Sequence, residues 1–201
     1  MKYLIMLEKI YKSIFKLFIL YLVVLNFLCF ITTFNPKALI NPFFIKNRTI
    51  SVYLLLKHII FESGIPVKIR DMEKINKTVN QVAEKYSVDP KLIHAIIKVE
   101  SKYNPFAISR TGAMGLMQIM PITFFEMGFK DPFNIEENIE AGTKYLKIQL
   151  GYFKKLELAL SAYNAGPGAI TNNKIPEIFE TKHYLKKILI EYTSLKSKET
   201  H

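Results

Sequence analysis

Asp89-Pro90-Lys91-Leu92-Ile93-His94-Ala95-Ile96-Ile97-Lys98-Val99-Glu100-Ser101 decides the fold, because it reads as a helix with an acid on its greasy side. Asp89 followed by Pro90 is a helix start, an N-cap side chain ahead of proline at the first helical position. Ile93, Ile96 and Ile97 then recur at helical spacing, and the next position of that stripe is Glu100. A carboxyl group at the end of an apolar stripe sits where water is scarce. Burial disfavours its charged form, so it tends to hold its proton near neutral pH, as a general acid must.

For a lone glutamate, a solvated helix end is the commoner reading. The sequence that follows changes the balance. Between Ser101 and Phe125 there is no further Asp or Glu, while Ser101, Asn104, Ser109 and Gln118 offer polar groups. Two glycine-rich stretches come next, Gly112-Ala113-Met114-Gly115-Leu116-Met117-Gln118 and Ala162-Tyr163-Asn164-Ala165-Gly166-Pro167-Gly168. Glycines permit close backbone approach and positive φ, which suits the wall of a cleft holding an extended ligand. One turn delivers Gln118 and Met120, the other Tyr163 and Asn164.

Outward from this region the pattern stays helical. Met72, Ile75, Val79, Val82, Ala83 and Tyr86 keep a 3.6-residue stripe behind Asp71 as cap. Asn134 with Glu137 three later reads as a capping box opening a helix through about Phe153, with Ile139, Leu146, Leu150 and Phe153 on its buried side. Leu156 to Ala162 predicts a helix feeding a turn at Tyr163-Asn164. Tyr184, Leu185, Ile188, Leu189 and Tyr192 mark a last amphipathic helix. No stretch alternates over a strand's length, so the expected fold class is all-α.

Four ordered blocks around one acid resemble a known family. Glu100-Ser101, Asn104-Pro105 with Ala107 and Ser109, Gly112-Ala113 with Gly115-Leu116-Met117-Gln118, and Ala162-Tyr163-Asn164-Ala165-Gly166 are similar to the signature of the soluble-type lytic transglycosylases. Glu180-Thr181 with Tyr184 matches that family's last motif, and the resemblance covers roughly Met72 to Tyr192. It implies a goose-type lysozyme-like helical domain acting on the glycan strands of peptidoglycan. It also implies that Glu100 is the catalytic acid and that Ser101 and Tyr184 orient it. Gln118, Met120, Tyr163, Asn164 and Glu180 would line the glycan cleft.

The implied chemistry turns on a missing base. Most glycosidases use two carboxyl groups, one as acid and one as nucleophile or base. Goose-type lysozymes typically carry an aspartate two residues after the glutamine, where this chain has Met120. The resemblance therefore implies non-hydrolytic cleavage giving 1,6-anhydro-N-acetylmuramic acid ends. A hydrolytic muramidase, with Glu180 as second carboxylate, is the nearest alternative. An inactive glycan-binding module is disfavoured by Glu100, and a wall-opening factor for envelope assembly machinery is compatible with the enzyme reading.

N-terminal to this domain the chain changes character. Leu17 to Phe34 carries no charge and is apolar apart from Asn26, Thr32 and Thr33, close to the roughly 20 residues that cross a bilayer core. Ile31-Thr32-Thr33-Phe34 is a poor cleavage site, and Phe27-Leu28 before Cys29 do not suit lipid attachment, so a retained anchor is expected. The expected organisation is a basic cytoplasmic tail at 1–16, a transmembrane signal anchor at 17–34, a juxtamembrane linker at 35–70 and a catalytic domain at 71–201, placed outside the cytoplasm. Lys2, Lys9, Lys12 and Lys16 against Lys37, Lys46 and Arg48 barely orient the span, so the implied substrate decides the side. Val52 to Phe61 is too short to span and reads as a short packed helix, an extended segment or a stalk.

The net charge of +11 divides unevenly, with 10 basic against 2 acidic residues in 1–70 and 18 against 15 in 71–201. Excess charge beside a membrane segment suits anionic headgroups. No zinc-finger, aromatic-basic or helix-turn-helix pattern points to nucleic acid. A single cysteine allows no intrachain disulfide, and four scattered histidines without metal-ligand spacing predict neither a zinc site nor a cofactor. His58 and His94 read as surface or packing residues, and Tyr152, Phe153, Met114, Met117 and Met127 as core.

Overall fold

A computed structural model of the chain describes residues 42–59 and 71–197, and the span expected at 17–34 lies outside them. Among the described residues no helix is long and apolar enough to cross a membrane. The elements are α1 (Pro42–Lys57), α2 (Met72–Tyr86), α3 (Pro90–Ser101), α4 (Pro121–Glu126), α5 (Ile135–Phe153), α6 (Leu156–Ala165), a 3₁₀ turn (Pro167–Ala169) and α7 (Phe179–Ser197). The described residues hold no strand, only isolated bridges at Ile108–Met114, Met114–Ile119 and Thr171–Lys174.

The helix starts follow the sequence signals. Asp71 accepts from the Lys74 amide at 3.1 Å and Asp89 from the Lys91 amide at 2.8 Å, each satisfying an orphan donor. Asn134 caps α5 through the Glu137 amide at 3.0 Å. The reciprocal half of that capping box does not form. Glu137 Oε2 instead accepts from the amides of Lys130 at 2.7 Å and Asp131 at 3.0 Å, tying the preceding loop to the helix. Loop amides compete for that carboxylate and win it.

One helix boundary differs from expectation. α6 runs on through Tyr163 and Asn164 to Ala165 and stops only at Gly166, where φ is +83°. Alanine and leucine carry the helix past the point where a turn was expected, and the first residue that frees the backbone is glycine. Tyr163 and Asn164 thus stand on a rigid helical turn.

The helices pack in a closed circuit: α3 on α7, α7 on α6, α6 on α5, α5 on α2 and α2 back on α3. Ile93, Ile96 and Ile97 of α3 are fully buried in the shared core with Ile75 and Val79 of α2, Leu146 of α5, Leu160 of α6 and Ile188 of α7. Complete burial of one such isoleucine contributes about 1.5–3 kcal/mol, so α3 is pinned on its apolar face and its C-terminus is fixed in space. Phe153, Met114 and Met117 are buried as expected, but Tyr152 is 77% exposed and is not core. It follows Gly151 on the outer face of α5, and its ring packs only edge-on against Phe153. α1 arises within 35–70 and takes the packed-helix form, touching α4 and the loop before it.

Candidate active site

Glu100 is the penultimate residue of α3, and the chain leaves that helix through two successive left-handed residues, Lys102 at φ +53° and Tyr103 at +63°. Its surface is partly open while its carboxyl is enclosed by protein. Burial pushes its pKa from 4.5 to about 8; a contact with the Tyr184 hydroxyl pulls the other way, and the Glu180 charge adds to the rise. At neutral pH the acid is therefore predominantly protonated, by roughly ten to one. The expectation of a proton-holding carboxyl at the end of an apolar stripe has a structural basis.

Two tyrosines wall this carboxyl. Tyr184 of α7 and Tyr163 of α6 are each 7% exposed. Burial, and then the Glu100 charge, raise both phenols well above 10, so both remain donors. The Tyr163 hydroxyl donates to the Met117 carbonyl at 2.9 Å, and its ring stacks obliquely on Tyr145 at 5.4 Å. The Tyr184 hydroxyl is buried and completes no hydrogen bond of ordinary geometry, yet it lies near enough to Glu100 to favour the carboxylate. It is a donor held in reserve beside the acid. Glu180, four residues before Tyr184 on α7, is exposed and close enough to act on Glu100 through its charge.

The third wall is the loop from Ala107 to Met120. Gly115 stands at φ +75° with no room for a side chain, since a Cβ there would meet the Pro132 carbonyl oxygen at 2.5 Å. Its amide donates to Ala107, and Met114 and Ile119 exchange backbone hydrogen bonds at 3.0 and 3.2 Å. Gln118, at φ +50°, donates from its side-chain nitrogen to the carbonyls of Ala107 at 3.0 Å and Gly115 at 2.8 Å. Its amide nitrogen holds the loop together, and only its oxygen is left for a ligand.

The remaining expected residues divide. Met120 is half-buried and precedes Pro121 at the head of α4. Asn164 is half-buried, and among the described residues no hydrogen bond occupies its side-chain amide. The Ser101 hydroxyl donates back to the Ile97 carbonyl at 3.1 Å, so it secures the last turn of α3 and makes no bond to the Glu100 carboxyl. The structure thus gathers Glu100, Tyr163, Tyr184 and Glu180 from three helices, with the loop carrying Gln118 and Met120 joined through the Met117–Tyr163 bond.

Sequence reasoning missed Asn138. This α5 residue is 1% exposed, accepts from the Met117 amide at 2.8 Å, and donates to the carbonyls of Met114 at 3.0 Å and Pro132 at 2.8 Å. It staples the glycine loop to a helix. Its signal was an asparagine beside Ile139 on the inward face of a helix, a place where an amide persists only if its hydrogen bonds are met. His58 and His94 were expected as surface or packing residues; His58 is buried against Asp131, and His94 is half-buried beside Tyr103, whose hydroxyl lies 3.3 Å from its Nδ1.

Fold and site together define a helical domain with one proton-holding acid at the end of a buried helix, flanked by two phenols and a glycine loop. The chain belongs to the transglycosylase SLT domain family, whose model matches residues 77–184. It is 36% identical over 106 residues to membrane-bound lytic murein transglycosylase F of Desulfosudis oleivorans, covering 49% of this chain and 23% of the relative. It is 34% identical over 90 residues to the transglycosylase of Enterobacteria phage PRD1, covering 45% and 34%. The crystal structure of the 70 kDa soluble lytic transglycosylase of Escherichia coli superposes with a TM-score of 0.54 at 29% identity, over 58% of this chain and 23% of that one. This chain spans only about a quarter to a third of the length of these proteins.

Proposed function

We propose that this chain is a lytic transglycosylase of peptidoglycan, cleaving the β-1,4 bond from N-acetylmuramic acid to N-acetylglucosamine without water. The observation that carries this reading is the Glu100 carboxyl, held protonated to a pKa of about 8 beside two buried phenols. Within this reading, Glu100 donates its proton to the glycosidic oxygen as the bond to C1 breaks. As carboxylate it then accepts the proton of the muramyl C6 hydroxyl, whose oxygen closes on C1. The product is a 1,6-anhydro end, and the acid is restored. The nucleophile belongs to the substrate, so the entropic advantage of an intramolecular step is built in.

The neighbouring groups fit both halves of the cycle. Burial favours the neutral acid needed for donation, and the reserve donor on Tyr184 stabilises the carboxylate once the proton has left. Met120, two residues after Gln118, offers no base to activate water. Asn164 and the Gln118 oxygen supply polar groups for sugar hydroxyls and N-acetyl groups. The names of the relatives, membrane-bound lytic murein transglycosylases among them, support the activity and the substrate class.

In the same proposal residues 17–34 anchor the chain in the cytoplasmic membrane, 1–16 remain cytoplasmic, and the domain that follows, with α1 packed on it, works outside the cytoplasm. A hydrolytic muramidase is the second reading, favoured by one observation: the exposed carboxylate of Glu180 acts on Glu100 through its charge. The test is digestion of purified peptidoglycan by the full chain in detergent. Release of soluble muropeptides by the parent and loss of nearly all release with Glu100→Gln is the expected outcome. Comparable release by both proteins overturns the assignment of Glu100.

A further inference from the structure

α1 lies outside the residues matched by the family, yet its buried polar groups close on the loop that lines the cleft. Ser51 is fully buried, and its hydroxyl donates to the carbonyl of Gly112, 61 positions away, at 2.7 Å. Gly112 stands at φ +93° with its α-carbon against the α1 backbone; a Cβ there would lie 2.7 Å from the Asn47 carbonyl carbon and 2.8 Å from the Arg48 nitrogen. That glycine is therefore required by the approach of α1 as well as by its own turn. Two helical turns past Ser51, His58 Nδ1 meets Asp131 Oδ2 at 2.5 Å, with both residues 8% exposed. The His58 ring packs on Phe106 at 5.7 Å and on Phe133 at 6.4 Å.

These contacts grip the loop at both ends of its support. Gly112 opens the Gly-Ala-Met-Gly turn that leads to Gln118 and Met120. Asp131, whose other oxygen accepts from the Phe133 amide at 3.1 Å, anchors the segment whose Pro132 carbonyl is stapled by Asn138. A side chain or carbonyl buried here gains nothing from solvent, so each lost contact leaves an orphaned group and shifts the loop.

We infer that Ser51 and His58 are positioning residues for the cleft, and that α1 belongs to the working domain as a clamp on the glycine loop. It acts on substrate binding through Gly112 and Asp131, while Glu100 is carried by α3 beside Tyr163 of α6 and Tyr184 of α7. The choice of a glycan assay rests on the transglycosylase reading; the loop measurement below does not.

The test compares the full chain with Ser51→Ala, Asp131→Ala and Asp131→Asn. Hydrogen exchange at Gly112–Ile119 should quicken about tenfold in Ser51→Ala, the factor expected for one buried hydrogen bond, and at least as much in Asp131→Ala, which loses the contacts to both His58 and the Phe133 amide, while amides of α7 keep parent rates. In the glycan assay the same variants should raise KM about five- to tenfold with kcat near the parent's. A merely destabilised fold would instead lower the apparent kcat and leave KM unchanged. Asp131→Asn can still accept from Phe133 and donate to a neutral His58, so it should keep the parent's KM and exchange. Parent-like exchange in the loop of Ser51→Ala and Asp131→Ala overturns the clamp whatever the enzyme's activity. An inactive parent with quickened loop exchange in the variants supports the clamp and overturns the transglycosylase reading.

Discussion

Replacing Glu100 by Gln should abolish activity and stabilise the fold, and the size of the gain should depend on pH. In the folded chain the carboxyl titrates at about 8; unfolded it returns to 4.5. Between those values the unfolded chain has released a proton that the native chain still holds. The parent therefore loses stability as pH rises from 4.5 to 8, and the neutral amide does not. At pH 7 the interval is about 2.5 units, which at 1.36 kcal/mol per unit is about 3 kcal/mol in favour of the variant. The assay is urea unfolding of both proteins at pH 4, 5.5, 7 and 8.5. The variant's advantage should be near zero at pH 4 and grow steadily to pH 8.5. A stability difference that stays constant across that range would refute the buried, proton-holding acid.

Tyr184→Phe removes the donor that favours the Glu100 carboxylate, so the alkaline limb of the kcat/KM profile should move to higher pH while kcat falls, read from initial rates across pH 5–10. Glu180→Gln removes a charge that raises the same pKa, so that limb should move to lower pH with most of the activity retained; loss of nearly all activity would make Glu180 a catalytic group. Asn138→Ala orphans three buried backbone groups and should cost about 3–5 kcal/mol, measured by urea unfolding; a cost below about 1 kcal/mol would mean the staple is dispensable.

The parts of this domain legible in the sequence are those set by local rules. Asp71, Asp89 and Asn134 announced helix starts because a capping side chain bonds only its own first turn. Glu100 was legible because helical periodicity alone places it on the buried stripe of Ile93, Ile96 and Ile97. Contacts decided by distant residues were not. Glu137 gave up its capping partner to two loop amides, Asn138 reached 24 positions back to Met114, and Ser51 reached 61 positions forward to Gly112. Ser101 looked like a partner of Glu100 but its hydroxyl found the nearer Ile97 carbonyl. Tyr163 and Asn164 sit on a helix and not in a turn because nothing before Gly166 breaks it.

The central claim is that Glu100 works alone, with the substrate's own C6 hydroxyl in place of water. Mass spectrometry of the muropeptides released from purified peptidoglycan by the full chain tests it most directly. The account predicts anhydro-muramyl ends, lighter by one water than lysozyme products, in nearly all of the released material. Predominantly reducing ends would contradict it and would mean that a base, with Glu180 first in line, activates water beside Glu100.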